Sequence, residues 1–152
     1  MPALPGASDP ELWRWVCQQT AEPPLRWQPI AGDASLRRYH RLHWADHSRV
    51  LMDARAEPAS CAPFAQVAGL LRAAGVNAPA ILAWDASRGW MLLEDLGERA
   101  YLDALQTEPA EPLIRSALEA LIRWQDSSRP DVLPPYDRAR LAAELALFPD
   151  WY

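Results

Sequence analysis

Residues 25–54 read LRWQPIAGDASLRRYHRLHWADHSRVLMDA. Along three short runs of this segment, apolar and polar side chains alternate, as they do in β-strands that bury one face. Small or polar residues separate the runs, at 31–35 and again at 46–48, and residues of these types favour tight turns. Because strands joined by such short turns run antiparallel, the segment predicts a three-stranded antiparallel meander.

A helix and two more strands are predicted after the meander. Residues 62–74 carry apolar side chains at helical spacing, and they are followed by Gly75, a residue type that commonly ends helices. The apolar runs 80–84 and 89–94 flank a short polar segment, which is the pattern of a β-hairpin. The sequence thus predicts a five-stranded antiparallel sheet with one helix inserted between its third and fourth strands.

Further helices are predicted on either side of this region. Residues 8–11, SDPE, combine a capping side chain, a proline and an acid, which is typical of the start of a helix, and the helix is predicted to end near Thr20. After Gly97 the apolar spacing is helical and predicts three helices, near 101–105, 113–125 and 138–148. We therefore predict an α+β fold with a small unit at 1–95 and a helical unit at 96–152.

Composition excludes several classes of protein. The chain has 152 residues, half of them hydrophobic, which suits a folded domain rather than a disordered segment. Its 15 Lys+Arg and 20 Asp+Glu give a net charge of −5, whereas nucleic-acid binding favours a basic face. No apolar run approaches the ~20 residues that cross a bilayer, and the N-terminus lacks the basic and apolar regions of a signal peptide. We expect a cytoplasmic protein with neither nucleic acid nor a membrane as partner.

The reactive residue types present restrict the reactions and sites that this chain could support. All basic residues other than the histidines are arginines, so chemistry that needs a lysine nucleophile or the lysine of a Walker loop is excluded. Two cysteines are too few for a disulfide framework. His40, His43 and His47 follow one another along a strand and its turn, where their spacing puts them on different faces and argues against a zinc site.

Three motifs resemble the aminoglycoside phosphotransferase family, whose fold is protein-kinase-like. Residues 31–39, AGDASLRRY, resemble the phosphate-covering turn of that family. Residues 91–97, MLLEDLG, are similar to its hinge, and residues 101–105, YLDAL, to the helix after the hinge. The resemblance implies a kinase small lobe, a five-stranded antiparallel sheet with one inserted helix, followed by the first helices of a large lobe.

Within that family, the chain resembles the bacterial cell-wall recycling kinases. The residues that carry this likeness are VLMDA at 50–54, AAGVNAP at 73–79 and LPPYD at 133–137. Those kinases phosphorylate N-acetylmuramate and N-acetylglucosamine at the anomeric hydroxyl. The likeness implies an ATP-dependent phosphotransferase of an amino sugar in peptidoglycan recycling, with ATP and Mg²⁺ as cofactors.

The nucleotide is expected at the turn and at the hinge. Small side chains in the turn would let backbone N–H groups approach phosphate oxygens, at Gly32, Asp33, Ala34 and Ser35. At the hinge, adenine needs one backbone acceptor and one donor beside apolar walls. The Glu94 carbonyl and the Leu96 N–H would supply the pair, with Met91, Leu93 and Leu51 as walls. The alternatives are that residues 32–35 form an ordinary hairpin turn and that residues 94–96 are only the point where the chain leaves its strand.

The third strand departs from the kinase pattern. Kinases carry there a lysine that pairs with the phosphates and with a glutamate of the inserted helix. Here the strand offers Met52 and Asp53, and residues 62–75 contain no acid, with Gln66 the polar side chain suitably placed. The turn, an arginine or the metal ions would have to replace the ion pair. Which of Met52 and Asp53 faces the helix stays open.

Neither a His-x-Asp nor a His-Gly-Asp catalytic loop is present in the sequence. We therefore predict no catalytic and no metal-binding residue in this chain, and no detectable transferase activity from these 152 residues alone. The expectation is an N-terminal part whose partner is a C-terminal large lobe that holds those groups. The alternatives are a non-catalytic module for nucleotide sensing or protein interaction, and an aminoglycoside or choline-type kinase.

Overall fold

The structure, a computed structural model, describes residues 9–31 and 36–151, with side chains up to Ala146. Within these ranges, five strands form one sheet: β1 (Arg26–Ile30), β2 (Arg38–His43), β3 (Ser48–Asp53), β4 (Ile81–Asp85) and β5 (Trp90–Glu94). Their order across the sheet is β1-β2-β3-β5-β4, and every neighbouring pair is antiparallel. The predicted five-stranded antiparallel sheet is confirmed.

In the described residues, five α-helices accompany the sheet: α1 (Pro10–Gln19), α2 (Cys61–Ala73), α3 (Tyr101–Ala104), α4 (Ala110–Ser127) and α5 (Arg138–Trp151). The Asp9 carboxylate caps α1 by accepting the N–H groups of Glu11 and Leu12 at 2.9 and 3.1 Å. A 3₁₀ turn at Pro58–Ser60 leads into α2, which lies between β3 and β4 along the chain as predicted.

The sheet buries a different apolar cluster on each face, because successive side chains of a strand point to opposite sides. We name the sides the α1 face and the α2 face after the helix packed on each. The α1 face holds Leu12, Trp13, Trp15, Val16, Trp27, Leu42, Leu51, Trp90 and Leu92. The α2 face holds Met52, Ala54, Cys61, Met91 and Leu93, with Tyr39, Val50, Phe64, Ala65 and Ile81 packed against them.

Helix α4 is far less buried than the sheet. None of its residues is buried, and four large apolar side chains at helical spacing are each about half exposed: Ile114, Leu118, Leu121 and Ile122. No helix in the described ranges combines the length and the hydropathy that crossing a membrane requires.

Candidate functional site

The carboxylate of Asp95 fixes the chain where it leaves β5. It accepts Arg41 Nε at 2.7 Å and Arg41 Nη2 at 3.2 Å, a paired arrangement that suits the planar guanidinium. Ser48 Oγ donates to it at 2.7 Å and the Gly97 N–H at 2.9 Å. Arg41 also donates to the Gly97 carbonyl at 3.0 Å. Residues 95–97 are thereby tied to the β2–β3 hairpin.

Arg41 and Asp95 form a buried ion pair, with side chains only 11% and 5% exposed. Burial by itself raises the pKa of Asp95, but the hydrogen bonds from Arg41, Ser48 and Gly97 outweigh it and hold that pKa below its usual range. The hydrogen bond to Asp95 in turn raises the pKa of Arg41. Both groups are therefore charged at neutral pH. An ion pair thus holds residues 95–97, which we call the clamped segment, against the β2–β3 hairpin.

Leu96 lies inside this clamped segment and presents a backbone donor. Its N–H has no hydrogen-bond partner among the residues that the structure describes, and its side chain is 47% exposed. The N–H of Glu94, two residues earlier, by contrast donates to the Ala80 carbonyl at 2.9 Å. Gly97, with φ of 92°, supplies the left-handed turn that follows. The segment thus holds in place an N–H donor that has no partner within the described chain.

The predicted apolar walls are only partly brought together. Met91 and Leu93 share the α2 face, where Met91 is fully buried and Leu93 is 3% exposed. Leu51 does not join them: it lies in the cluster on the α1 face, opposite Leu92 in the neighbouring strand. Val50, paired with Leu93, stands on the α2 face in its place. Strict alternation along β3 was the signal that could have found Val50.

The structure settles which residue of β3 faces the inserted helix. Met52 does, fully buried and opposite Met91, so an apolar side chain occupies the position that faces α2. Asp53 instead accepts Arg55 Nε at 2.9 and 3.0 Å and lines a cavity together with α1 residues. Gln66 Nε2 donates to the Val132 carbonyl at 2.9 Å and is exposed, so it does not substitute for the missing acid.

Arg37 bridges the start of β2 and the start of α2. Its Nε donates to Ser60 Oγ at 3.2 Å and its Nη2 to the Ser60 carbonyl at 3.1 Å. Its guanidinium lies 5.5 Å from the centre of the Phe64 ring. Phe64 packs against the cluster of the α2 face, which puts the Arg37 charge on the same side of the sheet as Leu93. The predicted phosphate turn, Gly32 to Ser35, lies outside the described residues.

The three histidines contact different partners. His43 Nε2 bonds to Arg26 Nη2 at 2.9 Å, and the His47 ring stacks on Trp44 with centroids 4.9 Å apart. His40 packs against Trp27, and burial lowers its pKa. Within 9–31 and 36–151, no three His, Cys, Asp or Glu side chains are grouped so that they could hold a metal ion.

Two cavities lie away from the clamped segment. One of about 400 Å³ is on the α1 face and is lined mainly by charged and polar side chains, including Asp9, Arg38, Asp53 and Arg55. The other, of about 500 Å³, lies between the end of α2 and residues 124–133. Neither cavity is lined by Glu94 or Leu96. The nucleotide prediction therefore rests on the segment that follows β5 and not on an enclosed pocket.

Comparison with known proteins gives one family. The sequence pattern of the phosphotransferase enzyme family (APH) matches residues 26–152. The N-acetylmuramate/N-acetylglucosamine kinase of Pseudomonas aeruginosa is 50% identical over 130 residues, which cover 86% of this chain and 38% of that protein. The enzyme of the same name from Pseudomonas putida is 43% identical over 122 residues, covering 80% and 36%. That of Neisseria meningitidis serogroup B is 39% identical over 127 residues, covering 80% and 37%. The chain thus spans less than two fifths of the length of these relatives.

Proposed function

Since the chain belongs to the phosphotransferase enzyme family, we propose that it supplies the adenine-binding segment, at the end of β5, of an ATP-dependent sugar kinase. The acceptor that the relatives' names favour is N-acetylmuramate or N-acetylglucosamine. Phosphorylation of its anomeric hydroxyl, in cytoplasmic peptidoglycan recycling, is the corresponding role for the whole protein.

The observation that carries the nucleotide part is the donor at Leu96. Its N–H is unpartnered within the described chain, while the residues on either side of it are fixed by Arg41 and Ser48. An adenine ring requires such a donor beside an apolar surface, and Val50, which is only partly buried on the α2 face, would contribute to that surface. The residues present therefore fit the adenine of ATP.

The metal-dependent part of the reaction is assigned to no residue here. Phosphoryl transfer uses Mg²⁺ to neutralise phosphate charge and a carboxylate to position the acceptor hydroxyl. The sequence has no His-x-Asp motif, and the described residues offer no metal-binding cluster. We propose that this chain binds and orients the nucleotide, and that by itself it transfers no phosphate.

The sugar-kinase proposal is tested by ADP release from the full-length gene product. The acceptors are N-acetylmuramate, N-acetylglucosamine, kanamycin and choline, each with ATP and Mg²⁺. Turnover with an amino sugar is the expected result. Turnover with kanamycin or choline alone would contradict the amino-sugar assignment and would still agree with the phosphotransferase family. No turnover with any acceptor, while ATP still binds, would favour a non-catalytic nucleotide-sensing module.

A further inference from the structure

The cavity on the α1 face has no role in the function proposed above. Its volume is about 400 Å³, within the range of pockets that hold small molecules. It lies between the start of α1 and strands β1 to β3, on the side of the sheet away from Leu93. Because the family match begins at residue 26, the wall that α1 supplies is outside the matched stretch. The cavity is therefore a candidate for a second site.

One side of the cavity carries an excess of negative charge. The carboxylate of Asp53, a side chain only 7% exposed, accepts Arg55 Nε at 2.9 and 3.0 Å. Asp9 forms an ion pair with the same arginine, and hydrogen bonds from the Leu12 N–H and from Arg55 lower the pKa of Asp9. Two carboxylates thus share one guanidinium, which leaves one negative charge without a counter-charge.

Arg38 brings a positive charge to the same cavity. It stands opposite Asp53 in the register of β2 and β3, and cross-strand neighbours of opposite charge usually pair. Asp53 is held by Arg55 instead, and the Arg38 guanidinium forms neither a hydrogen bond nor an ion pair within the part of the chain that the structure describes. The cavity is therefore lined by an unpaired cation and by an incompletely neutralised pair of acids.

The rest of the lining supplies one polar atom and an apolar wall. His40 Nδ1 is buried and has no hydrogen-bond partner among residues 9–31 and 36–151, although such atoms usually have one. Burial lowers the pKa of His40, so its ring is neutral at pH 7. A ligand or a water molecule would satisfy this nitrogen. The apolar wall consists of Leu12, Trp27, Leu36 and Ala56.

We propose that this cavity binds a free amino acid with an apolar side chain, at a site separate from the nucleotide site. A zwitterion fits because its carboxylate matches the guanidinium fork of Arg38 and its ammonium group matches the negative charge shared by Asp9 and Asp53. A ligand with a single charge would leave the other side of the cavity unpaired, which is unfavourable where water is displaced. The apolar side chain of the ligand would pack on Trp27 and Leu36, and its removal from water would stabilise the complex.

The test compares L-leucine with two analogues that each keep one of its charges. 4-Methylpentanoate has the carboxylate without the ammonium group, and 3-methylbutylamine has the ammonium group without the carboxylate. Affinities of the full-length gene product for all three are measured by titration calorimetry. Leucine is expected to bind, and each analogue is expected to bind about tenfold more weakly or less tightly still, because it loses one charged hydrogen-bonding group.

Substitutions in the cavity separate the two charges. Arg38→Met is expected to weaken leucine binding about tenfold and to change 3-methylbutylamine binding by no more than about twofold, because only the partner of the carboxylate is removed. Asp53→Asn should weaken leucine and the amine but not 4-methylpentanoate. Arg49→Met is the control, since it removes the same charge from β3 and lines neither cavity. Arg38 is exposed, so its variant remains informative even if Asp53→Asn does not fold.

Three outcomes would overturn the inference. Absence of leucine binding by wild type would mean that the cavity holds only water. Equal affinity for leucine and for either analogue would contradict a zwitterion as the ligand. Equal losses of leucine affinity in Arg38→Met and Arg49→Met would attribute the effect to net charge and not to the cavity.

Discussion

The Arg41–Asp95 pair is the residue-scale feature on which the proposed nucleotide site depends. Removing one member of a buried ion pair leaves the other charged and without its partner, which costs about 3–5 kcal/mol. We expect Asp95→Ala to lower the free energy of unfolding by an amount of this order, measured by urea denaturation. Glu98→Ala is the control, because Glu98 also contacts Arg41 but is 70% exposed. An equal loss of unfolding free energy in both variants would contradict a stabilising role for the buried Arg41–Asp95 pair.

The same pair predicts how stability depends on pH. Because the pKa of Asp95 is lower in the folded chain than its unfolded value near 3.9, its contribution is full above about pH 4 and is lost as pH falls through the folded value. Asp85, whose hydrogen bond from Ser87 leads the causes that lower its pKa to about 2, contributes in the same direction. Comparing wild type with Asp95→Asn isolates the share of Asp95: the variant should lose less stability between pH 5 and 3. Parallel curves would contradict this assignment.

At the scale of elements, the fold was largely predictable and the orientation of β3 was not. Alternation, turn residues and the glycine after α2 predict strands and helices because each of these signals is local. The choice between Met52 and Asp53 is not local, since two registers of one strand bury opposite faces equally well. Leu51 was predicted beside Leu93 for the same reason, and the structure puts the two on opposite faces.

The contacts that fix the candidate site could not be predicted from the sequence either. Arg41 and Asp95 are 54 residues apart, and Arg37 and Ser60 are 23 apart. No local pattern reports which of many arginines will meet which acid or hydroxyl. Residues 91–97 were predicted to be a hinge because they resemble a known motif, and the contacts that fix residues 95–97 became visible only once the sheet brought Ser48 to Asp95.

The orientation of β3 gives a prediction of its own. If Met52 belongs to the core of the α2 face, Met52→Lys buries a charge with no acid on α2 to receive it, and should lower the urea midpoint strongly. Met52→Leu, which keeps an apolar side chain of similar volume, should cost less than about 1.5 kcal/mol. Wild-type stability in Met52→Lys would mean that this side chain faces open solvent.

At the scale of the whole molecule, the exposed face of α4 is the feature that remains unpacked. Ile114, Leu118, Leu121 and Ile122 form one stripe along the helix, each about half exposed. Contiguous apolar surface of this kind favours association. We therefore expect the 152-residue chain alone to bind a hydrophobic dye and to self-associate in light scattering, and Leu118→Glu with Ile122→Glu to reduce both. A monomer that binds no dye would contradict this expectation.

The central claim is that the Leu96 backbone binds the adenine of ATP, and two substitutions at this residue test it most directly. Leu96→Pro deletes the N–H donor, whereas Leu96→Ala keeps it and removes only the side chain. Titration calorimetry of the full-length gene product with ATP and Mg²⁺ should show binding lost in Leu96→Pro and largely kept in Leu96→Ala, with both variants folded by circular dichroism. Equal ATP affinity in the two variants would contradict the site.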